Sequence, residues 1–299
     1  MNKIITNLWF ASEAEEAAKF YIETFGGGTQ GKVIRYTEEG QEVHGQKPGS
    51  VMTVEFELFG QQFVGLNGGP IFTFTPAVSF MVNCRSKEEV DELWDKLSAG
   101  HGRVLMPLDT YPFSERYAWL EDKYGVSWQI SVSEDTSQKI VPSLMFVGDM
   151  CGKAEEAVNF YTSVFENAKL GGFFRYTADQ APDKEGTIAF ADFTLEGQRF
   201  AAMDSARQHD FTFTEATSFI INCDTQEQID HYWHALSAVP ESEQCGWLKD
   251  RYGVSWQVTP TALEKMMREG TPEQIARVTQ AYLKMKKFDI AQLEAAYHG

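Results

Sequence analysis

The side chains best placed for chemistry sit on alternating strands. Val126, Trp128 and Ile130 interleave with Ser127, Gln129 and Ser131, and Val254, Trp256 and Val258 interleave with Ser255, Gln257 and Thr259. With a period of two, one face of each strand is apolar and the other is small and polar. If helices cover the apolar faces, the polar faces line a curved hollow. By the same count Glu55 and Asp192 point away from Phe56 and Phe193 into that hollow, as candidate catalytic acids or as a plain solvated face. Cys245, in QCGW, has no cysteine counterpart in the other half of the chain, where Tyr117 stands. A nucleophilic cysteine needs its thiolate stabilised by a base or cation, and Lys249 or Arg251 could supply it; packing is the competing reading. Asn67, in GLNGGP, sits in a flexible glycine loop expected at the mouth of the hollow, and its counterpart is Asp204. Asp122 and Asp250 precede Tyr-Gly turns, which explains them without catalysis. The six histidines (His44, His101, His209, His231, His234, His298) fall in loops, on helix surfaces or at the terminus.

The elements that must position these groups are legible from periodicity and caps. Ser12 followed by Glu15, Ser86 by Glu89 and Thr225 by Gln228 fit the capping-box pattern, and Gly152 opens a fourth helix. Ala14, Ala17, Ala18, Tyr21, Ile22 and Phe25 give the first helix one apolar face, as Val90, Leu93, Trp94 and Leu97 do for the second. Short apolar strands precede the helices (Ile4 to Phe10, Ala77 to Cys84). Alternating segments follow the first helix, over Lys32 to Thr37, Val51 to Leu58 and Gln62 to Leu66. Each half therefore reads as strand, helix, three strands, performed twice.

The chain is also written twice. AEEAAKFY from Ala14 returns as AEEAVNFY from Ala154, FTFT from Phe72 returns from Phe211, SFMVNC from Ser79 returns as SFIINC from Ser218, and YGVSWQ recurs at Tyr124 and Tyr252. A period of about 140 residues is one whole domain, so this is a fused pair rather than a solenoid. Extra residues in the first copy around Leu105 to Arg116 are a candidate lid or a loop. GLNGGP occurs only in the first half and QCGWLKD only in the second. The halves are therefore expected to be unequal, with one hollow, built where they meet, keeping ligand binding.

At 299 residues and 43% hydrophobic, two cores of ordinary domain size can be buried. The net charge of −17 excludes nucleic acid and anionic membrane surfaces as natural partners, because binding them needs a basic face. A small molecule fits better. No apolar run reaches membrane-span length and the amino terminus reads as a strand, so a cytoplasmic protein is expected. Cys84, Cys151, Cys223 and Cys245 show no CxxC spacing and read as reduced core thiols. After Pro260, apolar residues recur at helical spacing (Leu263, Met266, Met267; Ile275, Val278, Tyr282, Met285; Ile290, Leu293, Ala296), with Pro272 at a helix start and Asp289 as a cap. These stripes need an apolar partner, either the chain's own domains or a second subunit, and a homodimer is the favoured expectation.

The repeated strand–helix–three-strand units, the FY closing the first helix and the GVSWQ strand together resemble the vicinal oxygen chelate superfamily, which includes glyoxalase I, extradiol dioxygenases and fosfomycin and bleomycin resistance proteins. GLNGGP, FTFT, the Asn-Cys pair with its WxxL, and QCGWLKDRYGVSWQ are similar to the PhnB-like family, often named 3-demethylubiquinone-9 3-methyltransferase. The resemblance implies an α+β fold of two tandem domains, 1–137 and 138–260, followed by a helical tail, 261–299. Each domain would have two βαβββ units in an incompletely closed eight-stranded sheet. Methyl transfer from S-adenosylmethionine usually uses a glycine-rich turn between strand and helix. Here Gly26 to Gly28 end a helix and Gly68 and Gly69 lie in a loop, so the activity in the name is not expected. In metal-using relatives the ligands come from a unit's first strand, the fifth strand and a glutamate on the eighth. Those places hold Ile5, Asn7 and Trp9 or Val141, Ser143 and Met145; Ser79, Met81 and Asn83 or Ser218, Ile220 and Asn222; and Gln129 or Gln257. No metal and no cofactor is therefore expected. Function is read as a metal-independent small-molecule binder or an enzyme of unidentified reaction, contacting its ligand through Asn7, Trp9, Glu55, Asn67, Gln129, Asp192 and Gln257. The alternative is a metal-assisted enzyme on a substrate with adjacent oxygens, using Gln129 or Gln257 and a carboxylate.

Overall fold

The structure, a computed structural model, describes residues 3–100 and 102–299. The first repeat runs β1 (Ile4–Phe10), α1 (Ala14–Phe25), β2 (Gly28–Arg35), the one-turn α2 (Gln41–His44), β3 (Val51–Leu58) and β4 (Gln61–Asn67). It continues with β5 (Val78–Cys84), α3 (Lys87–Leu97), β6 (Val104–Tyr111), β7 (Ser114–Glu121) and β8 (Ser127–Val132). The second repeat gives β9 (Ile140–Phe146), α4 (Ala154–Val164), β10 (Lys169–Arg175), β11 (Ile188–Leu195) and β12 (Gln198–Asp204). Then follow β13 (Thr217–Cys223), α5 (Gln226–Leu236), β14 (Trp247–Lys249) and β15 (Ser255–Pro260), and the tail forms α6 (Thr261–Glu269), α7 (Pro272–Tyr282) and α8 (Ile290–His298). Among the described residues no helix is long and apolar enough to cross a membrane.

Two open sheets result, and each consists of two βαβββ-type units. The first has seven strands in the order β14-β15-β13-β1-β4-β3-β2, and the second has eight, β10-β11-β12-β9-β5-β8-β7-β6. Neither sheet stays within one repeat, which corrects the expectation of one eight-stranded sheet per half. β1 pairs antiparallel with β13, and β5 pairs antiparallel with β9, so the first and last units share one sheet and the middle two share the other. The apolar cores do follow the repeats. Leu8, Phe10, α1, Phe56 and Phe63 pack against Phe80, α3, Leu120 and Trp128 in one cluster, and their counterparts from Phe146 to Val258 form the other. Each core thus lies between strands of both sheets. The two FTFT segments meet across the local two-fold axis, where Thr75 Oγ1 donates to Thr212 O at 2.7 Å and Thr214 Oγ1 donates to Thr73 O at 2.7 Å.

Local signals hold in part. Ser86 and Thr225 cap α3 and α5 by accepting from the backbone amides of Glu89 and Gln228. Ser12 does not cap α1, because a buried acceptor from another element wins: Ala14 N donates to Asn67 Oδ1 at 2.8 Å. β2 starts at Gly28 rather than Lys32, since this edge strand is largely exposed and interrupted by a register shift, which hides its alternation. The extra residues around Leu105 to Arg116 are neither lid nor loop; they form the β6–β7 hairpin, whose β6 has no counterpart in the second repeat.

The tail stands in for that missing strand. Cys245 N donates to Met285 O at 2.9 Å and Gly246 N to Lys286 O at 2.7 Å, on the flank of the sheet where β6 would lie. Phe288 presses on Gly246, where a Cβ would run into its ring, and Leu283 does the same over Gly40 on the opposite side. Leu263, Met266, Val278, Phe288 and Leu293 are buried in the second core cluster. The partner of the tail's apolar stripes is therefore the chain's own body.

Candidate functional site

The face of each sheet turned away from the helices is its inner face. On the second sheet, one register row runs Asp192, Ala201, Ser143, Ser79 and Ser127, because small polar residues occupy the alternate positions of strands whose other side is core. The next row holds Val141, Met81, Gln129 and Trp119, and Met145 pairs with Met203 on the other side. Tyr117 OH donates to Gln129 Oε1 at 2.8 Å, Gln129 Nε2 donates to Ser79 Oγ at 2.7 Å, and Trp119 Nε1 donates to Ser127 Oγ at 2.8 Å. Burial pushes the Tyr117 hydroxyl above its usual range, so it stays a donor. Ser143 is 1% exposed and its Oγ has no hydrogen-bond partner. The helices packed on this sheet, α3 and α4, lie on its other face, and Met81, Trp119, Phe190, Asp192 and Met203 keep partial exposure.

The inner face of the first sheet uses equivalent positions differently. Asn7 Nδ2 and Gln257 Nε2 both donate to Ser218 Oγ, at 3.3 and 3.0 Å. Ser255 Oγ is orphaned: its counterpart Ser127 takes a Trp119 bond, whereas Trp247 turns instead to Trp9, with ring centroids 5.9 Å apart. The tail lies over part of this face, where Ile5, Trp9, Glu55, Val64 and Gln257 keep partial exposure. A cavity of about 170 Å³ is left between α6 and the sheet, lined by Ile5, Glu55, Gln62, Val64 and Glu264 among others.

Glu55 and Asp192 share a structural task. Each lies over a glycine of a bulged edge strand: Gly172 N donates to Asp192 Oδ1 at 2.7 Å, and Glu55 packs on Gly31 and accepts from the Lys32 backbone. Burial, and to a lesser degree the charge of Glu264, hold the Glu55 carboxyl above its usual range. A raised folded-state pKa means that ionisation costs the folded state. The stability associated with this group is full below the unfolded carboxyl's pKa, about 4.3, and is lost as pH rises through the raised value. Glu55→Gln is expected to raise the melting temperature at neutral pH, by about 1–3 °C, and to leave it unchanged under acid conditions where both states are protonated. Calorimetry of the two proteins across pH checks this; an equal shift at every pH would sink it.

The other expected site residues are accounted for by packing. Asn67 is not in a flexible loop: it ends β4, is buried, and also donates through Nδ2 to Val51 O at 3.1 Å. Asp204 has the same task for α4, accepting from Gly152 N at 2.6 Å, Ala154 N at 3.1 Å and Ile188 N at 3.0 Å. Trp9 packs edge-on to Phe72 and donates through Nε1 to Gly69 O at 2.7 Å, and a Cβ at Gly68 would run into its indole. Of the GLNGGP glycines, Gly68 serves that close approach. Cys245 has a positive φ of 49° and its thiol is raised above its usual range by burial. Neither expected cation reaches it, since Lys249 pairs with Glu215 at 2.5 Å and the Arg251 guanidinium lies 4.3 Å over the Phe160 ring. Burial lifts Cys84 and Cys223 to about 12, so both remain thiols. His44 stacks near Tyr36, His209 contacts Ser205, and His231 and His234 meet backbone carbonyls; His101 lies outside the described residues.

Of the expected contacts, the structure brings Gln129 and Asp192 to the second inner face and Asn7, Glu55 and Gln257 to the first. Sequence reasoning missed Ser143 as a site residue and the Tyr117–Gln129 bond. The signal was present in the mismatch of Tyr117 with Cys245, which pointed to the tyrosine rather than the thiol. Among the described residues no group of three or more His, Cys, Asp or Glu side chains could hold a metal ion. The ligand places hold hydroxyls and amides, and Gln129 is bonded at both ends, so a dication does not fit them. An S-adenosylmethionine cradle does not fit either, since the glycine loop is filled by Trp9.

A family model described as 3-demethylubiquinone-9 3-methyltransferase matches residues 2–131 and again 138–259. No curated protein matches. Among solved structures, a putative 3-demethylubiquinone-9 3-methyltransferase, PhnB protein, from Bacillus cereus is 44% identical over 44% of this chain and 99% of its own, with a TM-score of 0.40. Glyoxalase I from Zea mays is 12% identical over 88% of this chain and 94% of its own, with a TM-score of 0.54. The second likeness is one of fold alone.

Proposed function

The chain belongs to the 3-demethylubiquinone-9 3-methyltransferase family, matched once in each repeat, and from there we propose that it binds a small molecule on the inner face of its second sheet without the help of a metal ion. Any reaction there would rely on hydroxyl and amide groups. The observation that carries this reading is the inequality of the two faces: α6 of the tail lies over part of the first, while the second keeps its Tyr117–Gln129–Ser79 chain beside an unpartnered Ser143 and partly exposed Met81, Trp119 and Met203. A mostly apolar concave surface with a few fixed polar groups is the usual make-up of a small-molecule site. Methyl transfer is not part of the proposal, because the residues that would cradle its cofactor are used for packing.

A second reading, a metal-assisted glyoxalase-type enzyme, is favoured by the likeness of fold to glyoxalase I. It would have to free Gln129 from Tyr117 and recruit Asp192 from the Gly172 amide. Thermal-shift screening of a metabolite library with and without divalent ions separates the two. The first expects a stabilising compound whose effect is the same in both arms; a shift that appears only with the ion, or near-stoichiometric metal in protein purified without chelator, rejects it.

A further inference from the structure

We propose that Ser143 is the recognition hydroxyl of the second inner face, and that the ligand it selects is an uncharged molecule presenting one carbonyl oxygen on an apolar body. This deepens the proposed function and rests on its choice of face. Buried polar side chains are nearly always hydrogen-bonded, so an orphaned hydroxyl in a site asks for a partner. Ser143 is 1% exposed, its Oγ is unpartnered, and it stands in the register between Ala201 and Ser79. Its counterpart in the first repeat, Asn7, is long enough to reach across to Ser218. The serine is too short to make that bridge, and Ser79 is already engaged by Gln129. Ser79 and Ser127 each already accept a bond, whereas Ser143 neither gives nor takes one and has a proton to give.

The surroundings set the ligand's charge and body. Arg199, the inner-face cation of β12, is paired with Asp135 at 2.7 Å, and Asp192 is held by Gly172 N at 2.7 Å, so neither offers a free charge to an ionic ligand. The net charge of −17 further disfavours an anion. Along and across the strands, Ser143 is flanked by Val141, Met145, Met81 and Met203. Unbranched thioethers adapt to an apolar guest, which lets a ligand reach a hydroxyl that is covered when the face is empty.

Prodan, a neutral naphthyl ketone whose emission reports both polarity and hydrogen bonding at its carbonyl, is a suitable probe for the full chain. The expected result is saturable binding with a blue-shifted emission, at least tenfold tighter than 2-dimethylaminonaphthalene, which lacks the carbonyl. Ser143→Ala should weaken prodan at least fivefold, leave the control compound unchanged, and raise the melting temperature of the unliganded protein. A merely structural serine would lower that temperature and leave binding alone. Met203→Arg, which places a charge on the face, should abolish prodan binding. If Met203→Arg abolishes binding and Ser143→Ala does not weaken it, the face is right and the role of Ser143 is wrong. If Met203→Arg leaves binding intact, the choice of face fails and this inference fails with it. No binding by the wild-type chain up to the solubility of the dye overturns the ligand class.

Discussion

Removing residues 261–299 is expected to give a chain that melts more than about 10 °C below the full protein and aggregates. Leu263, Met266, Val278, Phe288 and Leu293 are buried by docking on the body, and each such side chain is worth about 1.5–3 kcal/mol on burial. Much of that is offset by the entropy of ordering the segment. What remains is still large against a total stability of about 5–15 kcal/mol, at about 2–4 °C for each kcal/mol in a chain of this size. The deletion also uncovers the Cys245 and Gly246 amides bonded to Met285 and Lys286, and opens apolar surface around Ile5 and Val64 and around the core side chains the tail packs against. Exposed apolar surface of that extent promotes association. Calorimetry and light scattering of the truncated chain check this. A truncated protein that keeps the particle mass per chain of the parent and melts like it would show the tail to be an accessory.

The second large effect concerns a pair of buried carboxylates. Asp250 accepts from Tyr161 OH, Trp256 Nε1 and Tyr252 N, each at 2.8 Å, and from Val254 N at 3.0 Å. Asp122 repeats the arrangement with Tyr21 OH, Trp128 Nε1 and Tyr124 N at 2.8 Å and Val126 N at 3.1 Å. Burial lifts both carboxyls above their usual range, against the pull of these donors. Aspartate to alanine at either place leaves four donors without an acceptor among the largest buried aromatic side chains. At about 1–3 kcal/mol for each buried group left unsatisfied, the loss is expected to exceed about 4 kcal/mol, enough to leave much of the chain unfolded at room temperature. Urea denaturation of Asp122→Ala and Asp250→Ala measures it. A loss below about 1 kcal/mol would mean that water replaces the carboxylate and that the four bonds are individually weak.

These aspartates also show what the sequence does and does not disclose. A turn aspartate before Tyr-Gly is readable as local chemistry, and two of its four bonds are local. The other two reach Tyr21 or Tyr161, on a helix about a hundred residues earlier, and Trp128 or Trp256 on the next strand; only the fold brings the helix tyrosine in. The same boundary runs through the rest of the molecule. Strand alternation sets which side of β8 Gln129 occupies, because the rule is local. Asn67 was misread because its bond to Ala14 crosses between elements and cannot be seen from GLNGGP. The unit pairing was hidden for a related reason: β1 and β5 are apolar on one face in either arrangement, and nothing local to them specifies whether β13 or a nearer strand is the neighbour. The inequality of the halves was legible, but the residues drawing attention to it, Cys245 and the glycine loop, mark packing rather than chemistry.

The exchange of units between sheets has a consequence for how such a chain could have arisen. Because β1 pairs with β13 and β5 with β9, a lone repeat would close its apolar interior and still present two naked central strands, each a template for a sister molecule. A one-repeat ancestor of this design would have been an obligate two-fold pair, and fusing its genes end to end would have turned an encounter between molecules into an intramolecular one. Freed from symmetry, one copy could then drop a strand and let the end of the polypeptide fill the gap, as the seam at Gly246 records.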